Sequence, residues 1–369
     1  VFSTLISGGA PRLVTRFALN YFSSRRDSRG SYLFSFFCGK ILILGLLLLV
    51  TYIVTASFPS SDLYKFPDFI WLMLFAPAVA FSSISAAYLK GIDRPIQAAL
   101  PNMVLQSIVM LLGFVAVLSL GPYQLTRMMQ IYAFSILMTA LCYWFFISRS
   151  TLIFPTHRAF TKKNIWARSL PSYFATTLFS TLNIHITALM LGFFLEPEYN
   201  AHFRIAEKMI LLVGLPLVIV NMIIGPRLSV AINQRNYKFI FRIVLATGCL
   251  SFFGFICTFV LVEFFFYRLF ASDLYAGAKE IVYFLALAPL INCLFGPIGY
   301  VMQIAGQENV LRNSQVVTVL ISCSIGVFAI PLYGIMGSVV ASVLSMLAGQ
   351  LYVCYFFTRY VKEVENDSV

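Results

Sequence analysis

The chain has 369 residues, of which 60% are hydrophobic and 11% charged, with a mean hydropathy of +0.87. A soluble domain carries about 25% charged residues, and no aqueous core can bury this much apolar surface, so lipid is the expected solvent for most of the chain. The formal net charge of +12 does not mark a nucleic-acid binder, because the basic residues lie in short loops between apolar runs, which is the positive-inside pattern of membrane proteins.

The chain begins at Val1 inside an apolar, small-residue run. No Met and no basic segment precede that run, so no signal peptide is expected. A helical span needs about 20 apolar residues, and by that rule about eleven spans are expected. Those of the first half are Val1–Phe22, Tyr32–Thr55, Phe69–Leu89, Ile96–Leu120 and Gln124–Ile147. Those of the second are Leu170–Phe194, Asn200–Val230, Phe239–Phe266, Ile281–Ile304, Asn313–Ile330 and Ile335–Phe357.

Between the two halves, Ser148–Ser169 carries Arg149, Arg158, Lys162, Lys163 and Arg168 and no acid. If this stretch is cytoplasmic, the same side receives Arg25, Arg26, Arg29, Lys90, Arg94, Arg227, Arg235, Lys238, Arg242, Arg312, Arg359 and Lys362. That side then holds 17 of the 26 Lys and Arg, and the other keeps only Lys65, Arg127, Arg268 and Lys279. The bias predicts a cytoplasmic centre and a cytoplasmic C-terminus.

The halves resemble each other. Ala76-Pro77 and Tyr88 recur as Ala288-Pro289 and Tyr300, at an offset of 212. The glycines Gly91 and Gly121 pair with Gly306 and Gly334, at offsets of 215 and 213. Parallel repeats of this kind are a transporter architecture. The first block is one span short of six, which predicts a missing helix before Val1. The expected organisation is a bundle over 1–149, a basic linker over 150–169 and a six-helix bundle over 170–369. Pro77, Pro216, Pro289 and Pro297 interrupt spans. They mark either ordinary membrane-helix prolines or flexible points.

Ionisable groups at membrane depth are candidates for function. Arg12 and Arg16 lie four apart, hence on one helix face, with no acid in their own span. The forked guanidinium suits phosphate. The other reading is an interfacial helix whose arginines reach headgroups. Arg204, Glu207 and Lys208 form a second cluster, in which Glu207 is placed to pair with Arg204. That cluster serves as a cargo contact, an outer gate or a structural pair. A third feature is the polar stripe Thr176, Thr177, Ser180, Thr181, Asn183, His185 and Thr187. Within it Thr177, Thr181 and His185 recur at helical spacing and are candidates to line a cavity or gate it. The seven cysteines stand singly in apolar runs, no metal-ligand spacing occurs, and no catalytic constellation or nucleotide loop is present. Neither a cofactor nor a metal is expected.

At Leu182–Met209 the sequence LNIHITALMLGFFLEPEYNAHFRIAEKM resembles polysaccharide transporters of the O-antigen flippase type, within the multidrug/oligosaccharidyl-lipid/polysaccharide exporter superfamily. The carrying features are Leu191-Gly192, Tyr199, Arg204 and the later Pro226 before a basic loop. GGAPRLVTRFALNYF resembles the family's second helix, and AAYLKGIDRP the end of its fourth. The resemblance implies an all-α polytopic membrane protein: two pseudo-symmetric helical bundles around a central cavity. The implied cargo is an undecaprenyl-pyrophosphate-linked oligosaccharide moved across the bacterial inner membrane. Arg12 and Arg16 would hold the pyrophosphate, with Arg204 or Lys208 doing so in the second bundle. The implied partners are the lipid-linked oligosaccharide, membrane lipid, a polysaccharide polymerase and chain-length regulators. Thr187 stands near where many relatives carry an acid, which puts cation coupling in doubt. The alternatives are a cation-coupled multidrug exporter, a peptidoglycan lipid-precursor flippase, an integral-membrane glycan polymerase and a non-transporting scaffold.

Overall fold

A computed structural model describes residues 6–23, 27–56, 67–120, 125–150, 165–234, 236–269 and 276–366. Most of the basic linker, residues 57–66 and Gly121 lie outside these residues. The described residues are helical, with no strand among them. That follows from the solvent: in lipid every backbone N–H and C=O must bond within the segment, and helices do this. Among the described residues, six helices are long and apolar enough to cross a membrane, or up to eight spans result if two bent pairs each count as one. The first three expected spans include residues whose side chains are not described.

The chain divides into two compact units, Val1–Phe174 and Ala175–Val369. The first unit holds α1 (Ala10–Ser23), α2 (Asp27–Ala56), α3 (Pro67–Gly91), α4 (Pro95–Leu100), α5 (Gln106–Leu120) and α6 (Leu125–Ser150), and the start of α7 (Ile165–Phe194). α1 buries Ala10, Leu13, Val14, Phe17 and Ala18, an i, i+3, i+4 stripe, against α2 and α3. A π turn at Pro101–Leu105 joins α4 to α5. Pro101 has no N–H to continue the ladder, which accounts for the irregularity. Beside it the buried Tyr143 of α6 donates to the Ala98 carbonyl at 2.6 Å.

The second unit holds the rest of α7. It continues through α8 (Pro197–Met209), α9 (Leu211–Ile223), α10 (Gly225–Asn233), α11 (Tyr237–Leu269), α12 (Ala276–Leu285), α13 (Leu287–Leu294) and α14 (Ile298–Ile304). It closes with α15 (Glu308–Tyr333) and α16 (Ile335–Asn366). α15 and α16 form a tight hairpin. The buried Ser314, Thr318, Ser322 and Gly326 of α15 recur every four residues, and Ser338, Ala341 and Ser345 of α16 are buried as well. Small residues at this spacing let two backbones approach in a membrane, where no hydrophobic force draws helices together. Large apolar side chains point outward instead: Phe193 is 83% exposed and Leu332 75%. Such a surface is stable against acyl chains and not against water. The chain is therefore a multi-pass, all-α membrane protein.

Three sequence expectations change in detail. The first span is not one straight helix. Gly8 and Gly9 stand at φ 56° and 77° and break it before α1. A Cβ on Gly9 would lie 2.6–2.7 Å from the backbone of Tyr173 and Phe174, so this close approach needs glycine. Second, the helices run on through Pro77 and Pro216. The bends fall at Ile210, 46° between α8 and α9, and at Phe295–Pro297, 44° before α14. Pro216 leaves the Leu212 carbonyl without its usual donor, and Gly254 of α11 comes close to that oxygen.

Third, the repeat aligns differently at the loop after the span. In the first unit the Arg94 N–H bonds to Leu89 O, and Asp93 N–H to Lys90 O, with Asp93 at φ 61°. In the second, Gln307 N–H bonds to Met302 O, and Gly306 N–H to Gln303 O, with Gly306 at φ 87°. Both are Schellman caps. The structural counterpart of Gly306 is thus Asp93, an offset of 213, and not Gly91. Asx residues tolerate the left-handed region well enough to replace glycine there.

Candidate functional site

In the first unit, α1 places Arg12 and Arg16 one turn apart. Both side chains are half-buried. Arg16 Nη1 donates to Tyr173 Oη at 3.2 Å, and its guanidinium lies 5.2 Å from the centre of the Phe17 ring. Tyr173 is fully buried, 157 residues from its partner, and also lies in the electrostatic neighbourhood of Arg12. The wedge of Gly9 against the Tyr173 backbone fixes the distance between α1 and α7 here. The helix thus holds two forked cations on one side, and a phenol anchors the second of them, Arg16. Sequence reading singled out the arginines as candidates and did not include Tyr173, because nothing local connects residues so far apart.

In the second unit, Arg204 Nη1 and Glu207 Oε2 meet at 2.6 Å, the pair that the i, i+3 spacing allows. Lys208 is exposed on the same helix. His185 of α7 is half-buried and lies within the electrostatic reach of Arg204 and Glu207. A second paired acid, Glu263, accepts from Lys279 Nζ at 2.9 Å and from Tyr283 Oη at 2.6 Å. Among the described residues, no three His, Cys, Asp or Glu side chains gather to hold a metal ion.

The α7 stripe divides between two directions. Thr176, Ser180, Asn183 and Thr187 follow i, i+4, i+7, i+11, which is one face of a helix. Thr176 and Thr187 are buried, and Thr187 Oγ1 lies 3.3 Å from Ser342 Oγ. Ser180 and Asn183 line a cavity of about 280 Å³ within the second unit. Thr177, Thr181 and His185 turn away from that face and are not among its lining. Thr181 Oγ1 bonds to the Thr177 carbonyl instead.

The cavity brings in residues that no motif announced: Asn221 of α9, Asn292 of α13, Gln315 of α15 and Gln350 of α16. Gln350 Nε2 donates to Asn292 Oδ1 at 2.6 Å. The broken span opens onto it, with Gly296, Pro297 and Tyr300 in its wall. Gly296 stands at φ 61°, and a Cβ there would lie 2.9 Å from Val244 Cα. Irregular backbone at membrane depth is tolerated where it is buried in protein or lines a cavity. The amides were visible as polar residues in apolar spans, and that was their only sequence signal.

No protein-family model and no curated protein matches the chain. Solved structures do match its fold. One is an outward-facing MATE family multidrug resistance transporter of the MOP superfamily: TM-score 0.73, 15% identity, covering 99% of this chain and 84% of that one. An inward-facing structure of a MATE family multidrug resistance transporter of that superfamily gives a TM-score of 0.71 at 14% identity, covering 100% and 89%. A third is a MOP superfamily transporter from Pyrococcus furiosus Vc1, described as having a binding pocket of reverse polarity that suggests a different function. It gives a TM-score of 0.73 at 15% identity, covering 98% of this chain and 86% of that one. The chain therefore has the fold of these two-bundle helical transporters.

Proposed function

We propose that the protein is a transporter that flips an undecaprenyl-pyrophosphate-linked oligosaccharide across a bacterial inner membrane by alternating access, for surface polysaccharide synthesis. The observation that carries this reading is the pair Arg12 and Arg16, one turn apart on α1, with Arg16 bonded to the buried Tyr173. Two guanidinium forks at this spacing match the oxygens of a pyrophosphate, and each bond to phosphate is charge-assisted. The prenyl tail stays in lipid while the headgroup passes. Arg204 and Lys208 are the second unit's candidates for the same charge. The C-terminus lies in the cytoplasm, and a polymerase and chain-length regulators act on the product.

A drug exporter of the same fold is the second reading. Export of cationic drugs by exchange with protons or Na⁺ calls for a carboxylate at membrane depth that is able to change partners. Glu207 is held by Arg204, and Glu263 by Lys279 and Tyr283. That arrangement favours an anionic headgroup over a cationic drug.

The test is complementation. A strain lacking its own flippase for this glycan, supplied with the full-length gene, regains surface polysaccharide. Arg12→Ala and Arg16→Ala each reduce it by an order of magnitude or more at equal membrane abundance, and the double variant abolishes it. Normal surface polysaccharide from the double variant overturns the assignment.

A further inference from the structure

We propose that the cavity of the second unit is a sugar subsite, which binds one neutral, hydroxyl-bearing ring of the glycan as it enters from the cytoplasm. This rests on the glycan reading and adds to it a place, separate from the arginines, where the sugar itself is read.

The chemistry of the lining selects the ligand. Among the described residues, no Asp, Glu, Lys, Arg or His stands in the wall. A phosphate would find no cation there, and a metal cation no carboxylate. An apolar molecule would leave the buried Asn221 Oδ1 without a partner, at a cost of about 1–3 kcal/mol. What the wall offers is four side-chain amides besides Asn183, with the hydroxyls of Ser180, Ser314 and Thr318. Every amide carries both a donor and an acceptor. Vicinal hydroxyls on a pyranose ring carry the same two functions, and neutral amides satisfy them without imposing a charge.

Two details make the cavity a built site. Asn221 Oδ1 is buried and has no hydrogen-bond partner, an acceptor that a ligand hydroxyl would satisfy. The bond from Gln350 to Asn292 uses one donor and one acceptor, so each of these lining amides keeps a second polar group outside that bond. Buried acceptors without partners are uncommon in folded proteins and call for an occupant. At about 280 Å³ the space lies just below the usual range of ligand pockets, about 300–1,000 Å³, and suits a single ring.

Its depth in the membrane agrees. Ser314, Gln315 and Thr318 lie in the first half of α15, just after Arg312, and Gln350 lies in the second half of α16, before Arg359 and Lys362. The positive-inside pattern puts those ends in the cytoplasm. A discontinuous helix in the wall is a recurrent feature of transporter substrate sites.

The experiment uses the full-length protein purified in detergent and saturation-transfer NMR with methyl glycosides of glucose, galactose, mannose and N-acetylglucosamine. At least one glycoside receives saturation. Asn221→Leu and Gln350→Leu each weaken that binding at least fivefold, as does the near-isosteric Gln350→Met, while Glu363→Ala, at the exposed end of α16, leaves it unchanged. Absence of saturation for all four glycosides overturns the proposal. So does binding that the three cavity variants leave unaltered, or a response to NaCl over choline chloride with none to sugars. The two readings fail separately. Transport of labelled lipid-linked glycan in proteoliposomes without glycoside binding removes the subsite and leaves the flippase. Cavity-dependent glycoside binding without such transport does the reverse.

Discussion

Arg16 and Tyr173 are joined by a 3.2 Å hydrogen bond across 157 residues of chain, and the phenol that accepts it is fully buried. A hydrogen bond to a charged group contributes about 1.5–3 kcal/mol. Tyr173→Phe keeps the ring and removes the acceptor. Arg16 then loses its orientation and keeps its charge. On the proposed function, transport of the lipid-linked oligosaccharide is expected to fall several-fold, less than in Arg16→Ala. Flux in proteoliposomes at matched protein content checks this. Arg16→Lys is expected to fall between the two, since an ammonium lacks the fork.

Gly9 is a stability residue beside the site. Its φ of 77° disfavours a side chain, and the atoms a Cβ would meet belong to the backbone of Tyr173 and Phe174, which cannot rotate away. Gly9→Ala is expected to cost at least about 2 kcal/mol, within the range for strained or overpacked positions. Gel filtration after graded heating, with the fraction of monodisperse protein as readout, measures the loss.

The α15–α16 hairpin offers a rescue experiment. A Cβ at Gly349 collides with Thr318 Oγ1. Gly349→Ala is expected to destabilise the protein by about 1–3 kcal/mol. Thr318→Ala in the same chain removes the obstacle and should restore much of the loss, giving a coupling of about 0.5–3 kcal/mol. Additive effects would show that the two residues do not meet.

Arg204 and Glu207 are bonded at 2.6 Å, with side chains 40% and 27% exposed. Solvent screens such a pair, so a double-mutant cycle to Ala is expected to give a coupling of only about 0.5–1 kcal/mol. The coupling shrinks as salt rises. If Arg204 also holds cargo, Arg204→Ala reduces flux more than Glu207→Ala does, and thermal stability falls equally in both.

The charge asymmetry of the loops predicts a cytoplasmic C-terminus. A fluorescent protein fused after Val369 is expected to be bright. Alkaline phosphatase at the same point is expected to be inactive. The opposite result inverts the topology and moves the second unit's cavity to the outer side.

The fold was legible because lipid imposes one rule on every segment. Apolar runs near 20 residues become helices whatever their sequence, so the architecture could be read from hydropathy. The Arg204–Glu207 pair was legible for a local reason, since a helix brings residues three apart together. Tyr173 and the amide set of Asn221, Asn292, Gln315 and Gln350 were not. They converge from separate helices, and single-chain periodicity carries no record of which helix faces which. The repeat was displaced at its loop for a related reason. Identity of residue type pointed to Gly91, whereas the backbone requirement is a left-handed residue, and Asp93 meets it.

Tyr173 has a consequence for how the protein is made. It completes the core of the first unit, packing with Leu13, Phe17, Leu33 and Tyr88, yet it lies in α7, beyond the linker. A ribosome that has finished α6 has not yet supplied the ring that fills this core. The first unit must therefore wait, already in the membrane and imperfectly closed, until the opening turns of α7 emerge. A fragment cut within 151–164 lacks that side chain, so expressing the two halves from separate genes should leave the first one a substrate for membrane proteases unless the second arrives with it.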